Sequence, residues 1–157
     1  MSYEIRETTF PARTYLIWRS EIDTANITDQ NMWRSAFGQV HAYAQKNQVQ
    51  VVGAGTALYF RWDASAGKAD LGIGNPVAGV SEVNEPGLSL VPVEETPALH
   101  VLVRGDYAQL HDVHRQLTEY VEQQGLTSTL TVEEYTVMGM DKPNPQDWET
   151  NIYYLLK

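Results

Sequence analysis

Glu133 and Tyr135 stand two residues apart in a β-rich run from Thr131 to Met140. Side chains alternate along a strand, so a carboxylate and a phenol share one face with Val137, while Val132, Glu134, Thr136 and Met138 take the other. In the last β-rich run, Thr150 to Leu156, the same rule groups Asn151, Tyr153 and Leu155 against Ile152, Tyr154 and Leu156. Hairpin pairing of the two runs is expected to bring Asn151 or Tyr153 beside Tyr135. An acid among aromatic rings suits a lipophilic cation, because each ring face attracts positive charge by about 0.5 to 2 kcal/mol and the carboxylate neutralises it. In the first half of the chain, Tyr59 with Trp62, or Tyr15 with Trp18, offers an opposite aromatic wall. The competing reading is bland: Glu133 and Glu134 face water, and the tyrosines supply core area and strand propensity.

Other constellations are poorer. His111 and His114 stand three apart on a helical segment, but His114 falls on its apolar stripe and no acidic third ligand accompanies them. His41 and His100 have no spacing that recruits them into a site. Gly72-Ile73-Gly74-Asn75-Pro76 is glycine-rich, yet Pro76 stands where a nucleotide-binding loop would open its helix, so the glycines are expected to let a backbone or ligand approach a strand. The absence of cysteine removes disulfides, thiolate metal sites and a cysteine nucleophile.

The elements that must position these residues come in two sets. Trp33, Ala36, Phe37, Val40, Tyr43 and Ala44 form an apolar stripe on a helix from about Met32 to Asn47. Leu110, Val113, His114, Leu117, Tyr120 and Val121 form a second stripe, introduced by Asp106 with Gln109 in a capping-box pattern and ended by Gly125. Adding 77 carries each member of the first stripe onto the second, from Trp33 to Leu110 through Ala44 to Val121. A β-rich run precedes each helix, Thr14 to Trp18 and His100 to Val103, and two follow each, Gly55 to Trp62 with Asp70 to Gly74 in the first half. The chain therefore reads as a duplicated strand-helix-strand-strand unit.

Aligning Arg19 with Arg104 gives an offset of 85 for the leading strands, which makes Ser20 to Asn31 an inserted loop in the first half. The proline- and glycine-punctuated stretch from Asn75 to Pro97 joins the halves along the surface, with one strand near Leu88 to Val91. The expected class is α+β, with an antiparallel sheet, two helices on one face and a ligand groove between the halves. Repeat one spans about 1–78, the linker 79–97 and repeat two 98–157. At the helical offset Glu133 maps onto Thr56, so the acid is not repeated.

The length of 157 residues with 43% hydrophobic content suits one domain with its own core, and a formal charge of -9 opposes nucleic acid and anionic membranes. The alternating residues up to Ile22 lack the apolar core of a signal peptide, which favours the cytoplasm.

Gly105-Asp106-Tyr107, Glu133-Glu134-Tyr135 and Trp148-Glu149-Thr150-Asn151-Ile152-Tyr153 resemble the GyrI-like, or AraC-type effector-binding, family, and Asp70 to Val77 resembles that family's first-half strand and turn. The resemblance spans the whole chain and implies a free-standing, bacterial small-molecule-binding module without a cofactor. Its ligand would be a lipophilic, drug-like and often cationic compound of the kind bound by multidrug-responsive transcription regulators. Carried over by position, the family's Glu-x-Tyr motif makes Glu133 a charge partner and Tyr135 an aromatic wall. Asn151 and Tyr153 lie on the same wall, with Tyr59 and Trp18 as further ligand contacts. The family's second glutamate falls on Asn151, which hydrogen-bonds but carries no charge. The resemblance implies two alternatives, hydrolysis of reactive cyclopropane-type toxins and modulation of DNA gyrase as a protein partner. A DNA-binding helix-turn-helix finds no room in this chain.

Overall fold

The computed structural model describes residues 3–138 and 141–157. Among them are nine strands and two α-helices: β1 (Arg6–Phe10), β2 (Arg13–Asp23), α1 (Gln30–Lys46), β3 (Gln50–Val51), β4 (Thr56–Asp63), β5 (Lys68–Ala78), β6 (Leu88–Val93), β7 (Thr96–Arg104), α2 (Leu110–Gln123), β8 (Ser128–Val137) and β9 (Glu149–Leu156). The α+β class and the antiparallel pairing hold. The chain forms two compact units, residues 12–94 and residues 1–11 with 95–157. Gly139 and Met140, at the end of the strand expected from Thr131, lie outside the described residues, as do Met1 and Ser2.

The same topology is built twice. In the first-repeat unit, β5 pairs with β4 and β2, and β2 also pairs with β6, giving the order β6-β2-β5-β4. In the second-repeat unit, β9 pairs with β8 and β7, and β7 also pairs with β1, giving β1-β7-β9-β8. The strand that precedes each leading strand thus belongs to the other repeat's unit. That corrects the assignment of the N-terminus to repeat one: Arg6–Phe10 pairs with β7, and Phe10 is fully buried there.

One helix covers one face of each unit. Asp29 caps α1 by accepting the Asn31 N–H at 3.0 Å. Ahead of α2, Asp106 accepts the Ala108 N–H at 3.0 Å and opens a 3-10 turn over Tyr107–Gln109. Gln109 donates to the Arg104 carbonyl at 2.8 Å, so the reciprocal capping box does not form. Beneath α2, Leu99, Val101 and Val103 of β7 and Ile152 and Tyr154 of β9 pack against Val113 and Leu117. Beneath α1, Leu16, Val77 and Leu88 pack against Val40 and Ala44, with Trp18 and Tyr43 at the margin. Each fully buried aliphatic side chain contributes about 1.5 to 3 kcal/mol.

Parts of two segments expected to be loops are strand. Ser20 to Asp23 continue β2, because Ile22 is buried and salt bridges tie Glu21 to Arg61 and Asp23 to Lys68 across the neighbouring strands. Only Thr24–Thr28, a 3-10 turn, interrupts the chain before Asp29 and α1. In the linker, β5 runs on to Ala78, and Leu88–Val93 pairs with β2 along its whole length. Gly74 is required sterically, since a Cβ there would stand 1.9 Å from the Leu16 carbonyl oxygen; the close neighbour is the β2 backbone.

Register corrects the residue that corresponds to Glu133. Arg19 and Arg104 pair with Gly72 and Glu149, which differ by 77 (149 − 72). One residue further on, Ile73 pairs with Ala57 and Thr150 with Tyr135, a difference of 78 (135 − 57). Glu133 therefore corresponds to Gly55, and Glu134 to Thr56. A one-residue slip reverses the face a side chain occupies, so the distinction decides what the acid meets. In the first repeat, a Cβ on Gly55 would touch Phe37 of α1 at 3.0 Å. The helical offset carries Phe37 to His114, and His114 is the residue that Glu133 meets.

Candidate functional site

Ile152 of β9 belongs to the core beneath α2, and Glu133 is its cross-strand partner, so the Glu133 side chain points toward the helix. It is 2% exposed, and Glu134 on the opposite face is 9% exposed; neither is a water-facing strand residue. Burying a carboxylate costs several kcal/mol unless donors surround it. Here Tyr135 Oη donates to Glu133 Oε1 at 2.6 Å, and His114 Nε2 lies 2.5 Å from Oε2. Two donors on two oxygens suit an ionised acid, and the proton of that histidine contact sits on Nε2 because a carboxylate only accepts.

The network continues through His114 Nδ1, which lies 2.8 Å from Tyr154 Oη, with the two rings stacked at 5.8 Å. Burial, and to a smaller degree the charge of Glu133, push the Tyr154 phenol up to about 12 although a Thr118 hydrogen bond opposes them. Tyr107 lies in the turn before α2. Burial first, then the charges of Glu133 and Asp141, raise its phenol above the ordinary value. Its ring meets Tyr135 edge-on at 5.8 Å and Trp148 at 4.9 Å, and it is 38% exposed. Trp148 is held by its indole N–H on the Lys142 carbonyl at 2.8 Å, while its own carbonyl accepts the Gly105 N–H at 2.9 Å. Gly105 has φ 115°, a conformation that side chains other than glycine's resist. The Gly105-Asp106-Tyr107 and Trp148 segments are thereby joined beside the Glu133-Tyr135 strand.

Asn151 and Tyr153 are not part of this cluster. Asn151 pairs with Glu134 and Tyr153 with Val132, which puts both on the sheet face away from α2. The expectation of one wall shared by all four residues fails because the hairpin register sets Tyr135 opposite Thr150. On their own face, Asn151 Oδ1 lies 2.7 Å from His100 Nε2, and Tyr153 stacks on the His100 ring at 4.7 Å and meets Phe10 edge-on at 5.0 Å. Trp18 lies at the margin of the core beneath α1, and Tyr59 packs edge-on against the half-exposed Trp62 at 6.0 Å. Both belong to the first-repeat unit.

A buried carboxylate held by a phenol and an imidazole, with further aromatic rings packed on those two and the helix of a duplicated strand-helix-strand-strand fold above it, is the arrangement to set beside known proteins. The fold resembles that of the EcmrR C-terminal domain. That crystal structure aligns with a TM-score of 0.80 at 18% identity, covering 100% of this chain and 99% of the domain. The chain spans 57% of the EcmrR chain in its DNA complex, with a TM-score of 0.82. SAV2435 bound to tetraphenylphosphonium aligns with a TM-score of 0.68 at 12% identity over 100% of this chain and 94% of that one. A hydrolase from Listeria innocua aligns with a TM-score of 0.62 at 13% identity over 99% and 92%. No family model matches the sequence, and no curated protein is similar to it at a significant level. No described helix is long and apolar enough to cross a membrane.

Sequence reasoning singles out Glu133 and Tyr135 but misses Tyr107, His114, Trp148 and Tyr154 as their surroundings. The signal for His114 is a histidine on an otherwise apolar helix stripe. The signal for Tyr154 is its place, two residues from Ile152, on the face that the helix covers.

Proposed function

We propose that this chain binds a small lipophilic cation, with Glu133 as its charge partner and Tyr135, Tyr107 and Trp148 as its aromatic surroundings. The observation that carries this reading is the buried Glu133 carboxylate, hydrogen-bonded by Tyr135 and His114, with the Tyr107 ring packed on Tyr135 and the Trp148 ring packed on Tyr107. A buried acid is expensive to maintain for stability alone, and replacing such a group by apolar residues is often neutral or stabilising. A cation resting on the rings gains about 0.5 to 2 kcal/mol from each face, and the low dielectric strengthens its attraction to the acid. The ligand of SAV2435, a phosphonium surrounded by phenyl groups, belongs to this chemical class.

Calorimetric titration of tetraphenylphosphonium into the wild type and Glu133→Gln tests the reading. Loss of the charge is expected to weaken binding at least about tenfold, the equivalent of about 1.4 kcal/mol. Equal affinity for both proteins would remove Glu133 from the site.

A second reading is hydrolysis, favoured by the short Glu133–His114 contact, in which the acid orients an imidazole whose Nδ1 would exchange the Tyr154 hydroxyl for a water and take its proton. Incubation with reactive electrophiles, followed by mass spectrometry, is then expected to reveal a product gaining one water. Unchanged compound would count against it.

A further inference from the structure

His114 already stands where a ligand's positive charge would go. Its Nε2 lies 2.5 Å from Glu133 Oε2, and its ring is stacked on Tyr154, so the imidazole combines a donor to the acid with an aromatic face on a neighbouring ring. The hydrogen-bond network also accepts both protonation states of that ring. With His114 neutral and its proton on Nε2, Tyr154 Oη donates to Nδ1 at 2.8 Å. With His114 protonated, Nδ1 donates to the same oxygen, and the Tyr154 hydroxyl turns to the His114 main-chain carbonyl at 3.5 Å. No donor or acceptor of this ring and phenol is stranded in either state. The ring meets Glu133 from β8 and Tyr154 from β9; Tyr135 of β8 shares the Glu133 carboxylate, Thr118 of α2 hydrogen-bonds Tyr154, and the Tyr107 phenol in the turn before α2 feels the Glu133 charge. Arg115 and Glu119 of α2 pair with each other at 3.0 Å on its exposed side. Glu133 is the acid in contact with the imidazole. The corresponding contact in the first repeat, Phe37 over Gly55, contains no titratable group.

We infer that protonated His114 is a built-in competitor of the cationic ligand for Glu133, so that the site takes up lipophilic cations when His114 is neutral and releases them as the pH falls. The inference rests on the ligand reading given above and adds its regulation. A permanently charged ligand arriving at a neutral His114 meets the carboxylate without an imidazolium charge beside it. Arriving at an imidazolium, it must displace a charge-assisted hydrogen bond and bring two positive charges together. The competent fraction of the protein falls as His114 takes up its proton, and the observed affinity falls with it.

The test is titration of tetraphenylphosphonium, whose charge does not change with pH, into the wild type, His114→Gln and His114→Phe at steps from about pH 5.5 to about pH 8.5, the range over which imidazoles titrate. The wild type is expected to lose about tenfold or more in affinity across this range, and both variants are expected to bind with little pH dependence. Nuclear magnetic resonance of the wild-type imidazoles provides the second measurement: saturating tetraphenylphosphonium is expected to lower the pH at which His114 titrates. Wild-type affinity that is flat with pH would overturn the competition while leaving ligand binding intact. A pH dependence that survives in His114→Gln would also overturn it, assigning the proton to another group. Absence of binding at every pH would refute the ligand reading and the competition together.

Discussion

Removing one buried hydroxyl gives the cleanest test of how the site is held. Tyr135→Phe deletes the donor that lies 2.6 Å from Glu133 Oε1 and keeps the ring that meets Tyr107 edge-on. No cavity larger than an oxygen opens, so the cost is the lost hydrogen bond to a buried charge, about 1.5 to 3 kcal/mol, rather than the roughly 1 kcal/mol of a neutral bond. For a chain of this size each kcal/mol lowers Tm by about 2 to 4 °C, so a decrease of about 3 to 12 °C is expected. Urea denaturation should return the same free-energy difference with an unchanged m-value, because the exposed area on unfolding is the same. A loss below about 0.5 kcal/mol would mean that the carboxylate does not depend on this donor, and the account of a charge held by tyrosine and histidine would be wrong.

Other substitutions test the framework. Gly74→Ala places a methyl group against the Leu16 carbonyl and is expected to cost about 3 kcal/mol or more, measured by denaturation; a loss under about 1 kcal/mol would contradict the close β2–β5 approach. Leu117→Ala, in the core beneath α2, should cost about 2 to 5 kcal/mol in the same assay. Tyr154 should ionise well above the ordinary phenol value, near pH 12 by ultraviolet absorbance, and Tyr154→Phe should delete that step. Because folding raises this phenol, the native state holds its proton longer than the unfolded chain does. Stability is thus expected to fall as pH rises from about 10 to about 12, and less so in Tyr154→Phe. Asp70 is lowered chiefly by its hydrogen bond from Arg19, so the pair stabilises the fold above the ordinary carboxylate range and loses that effect as pH falls through the lowered value. Its partial exposure keeps the cost of Asp70→Asn to about 0.2 to 1 kcal/mol at neutral pH.

Much of the scaffold is legible because it is written in periodicities. The stripes from Trp33 to Ala44 and from Leu110 to Val121 are buried or half-buried throughout, and the strand-helix-strand-strand order recurs as expected. Alternation also identifies Glu133 and Tyr135 as neighbours on one face. Alternation does not say which residues of another strand share that face, since this depends on hairpin register. Bulges between Ser128 and Leu130 and between Tyr135 and Val137 shift it by amounts no propensity specifies. That is why alternation alone puts Asn151 and Tyr153 on the wrong face and why Thr56, rather than Gly55, aligns with Glu133 at the helical offset. The N-terminal strand reads as part of the nearer repeat because sequence distance says nothing of a strand whose partner is about ninety residues away. Tyr107 and Trp148 reach the acid through a turn at Gly105 and a 3-10 segment at Pro145–Asp147, both irregular structures without a period to read.

The most direct test of the central claim is a crystal structure grown with tetraphenylphosphonium. The phosphonium is expected beside the Glu133 carboxylate, with its phenyl groups against Tyr107, Tyr135 and Trp148 and the His114 imidazole drawn away from Oε2. A phosphonium bound elsewhere, with the Glu133–His114 contact intact, would contradict it.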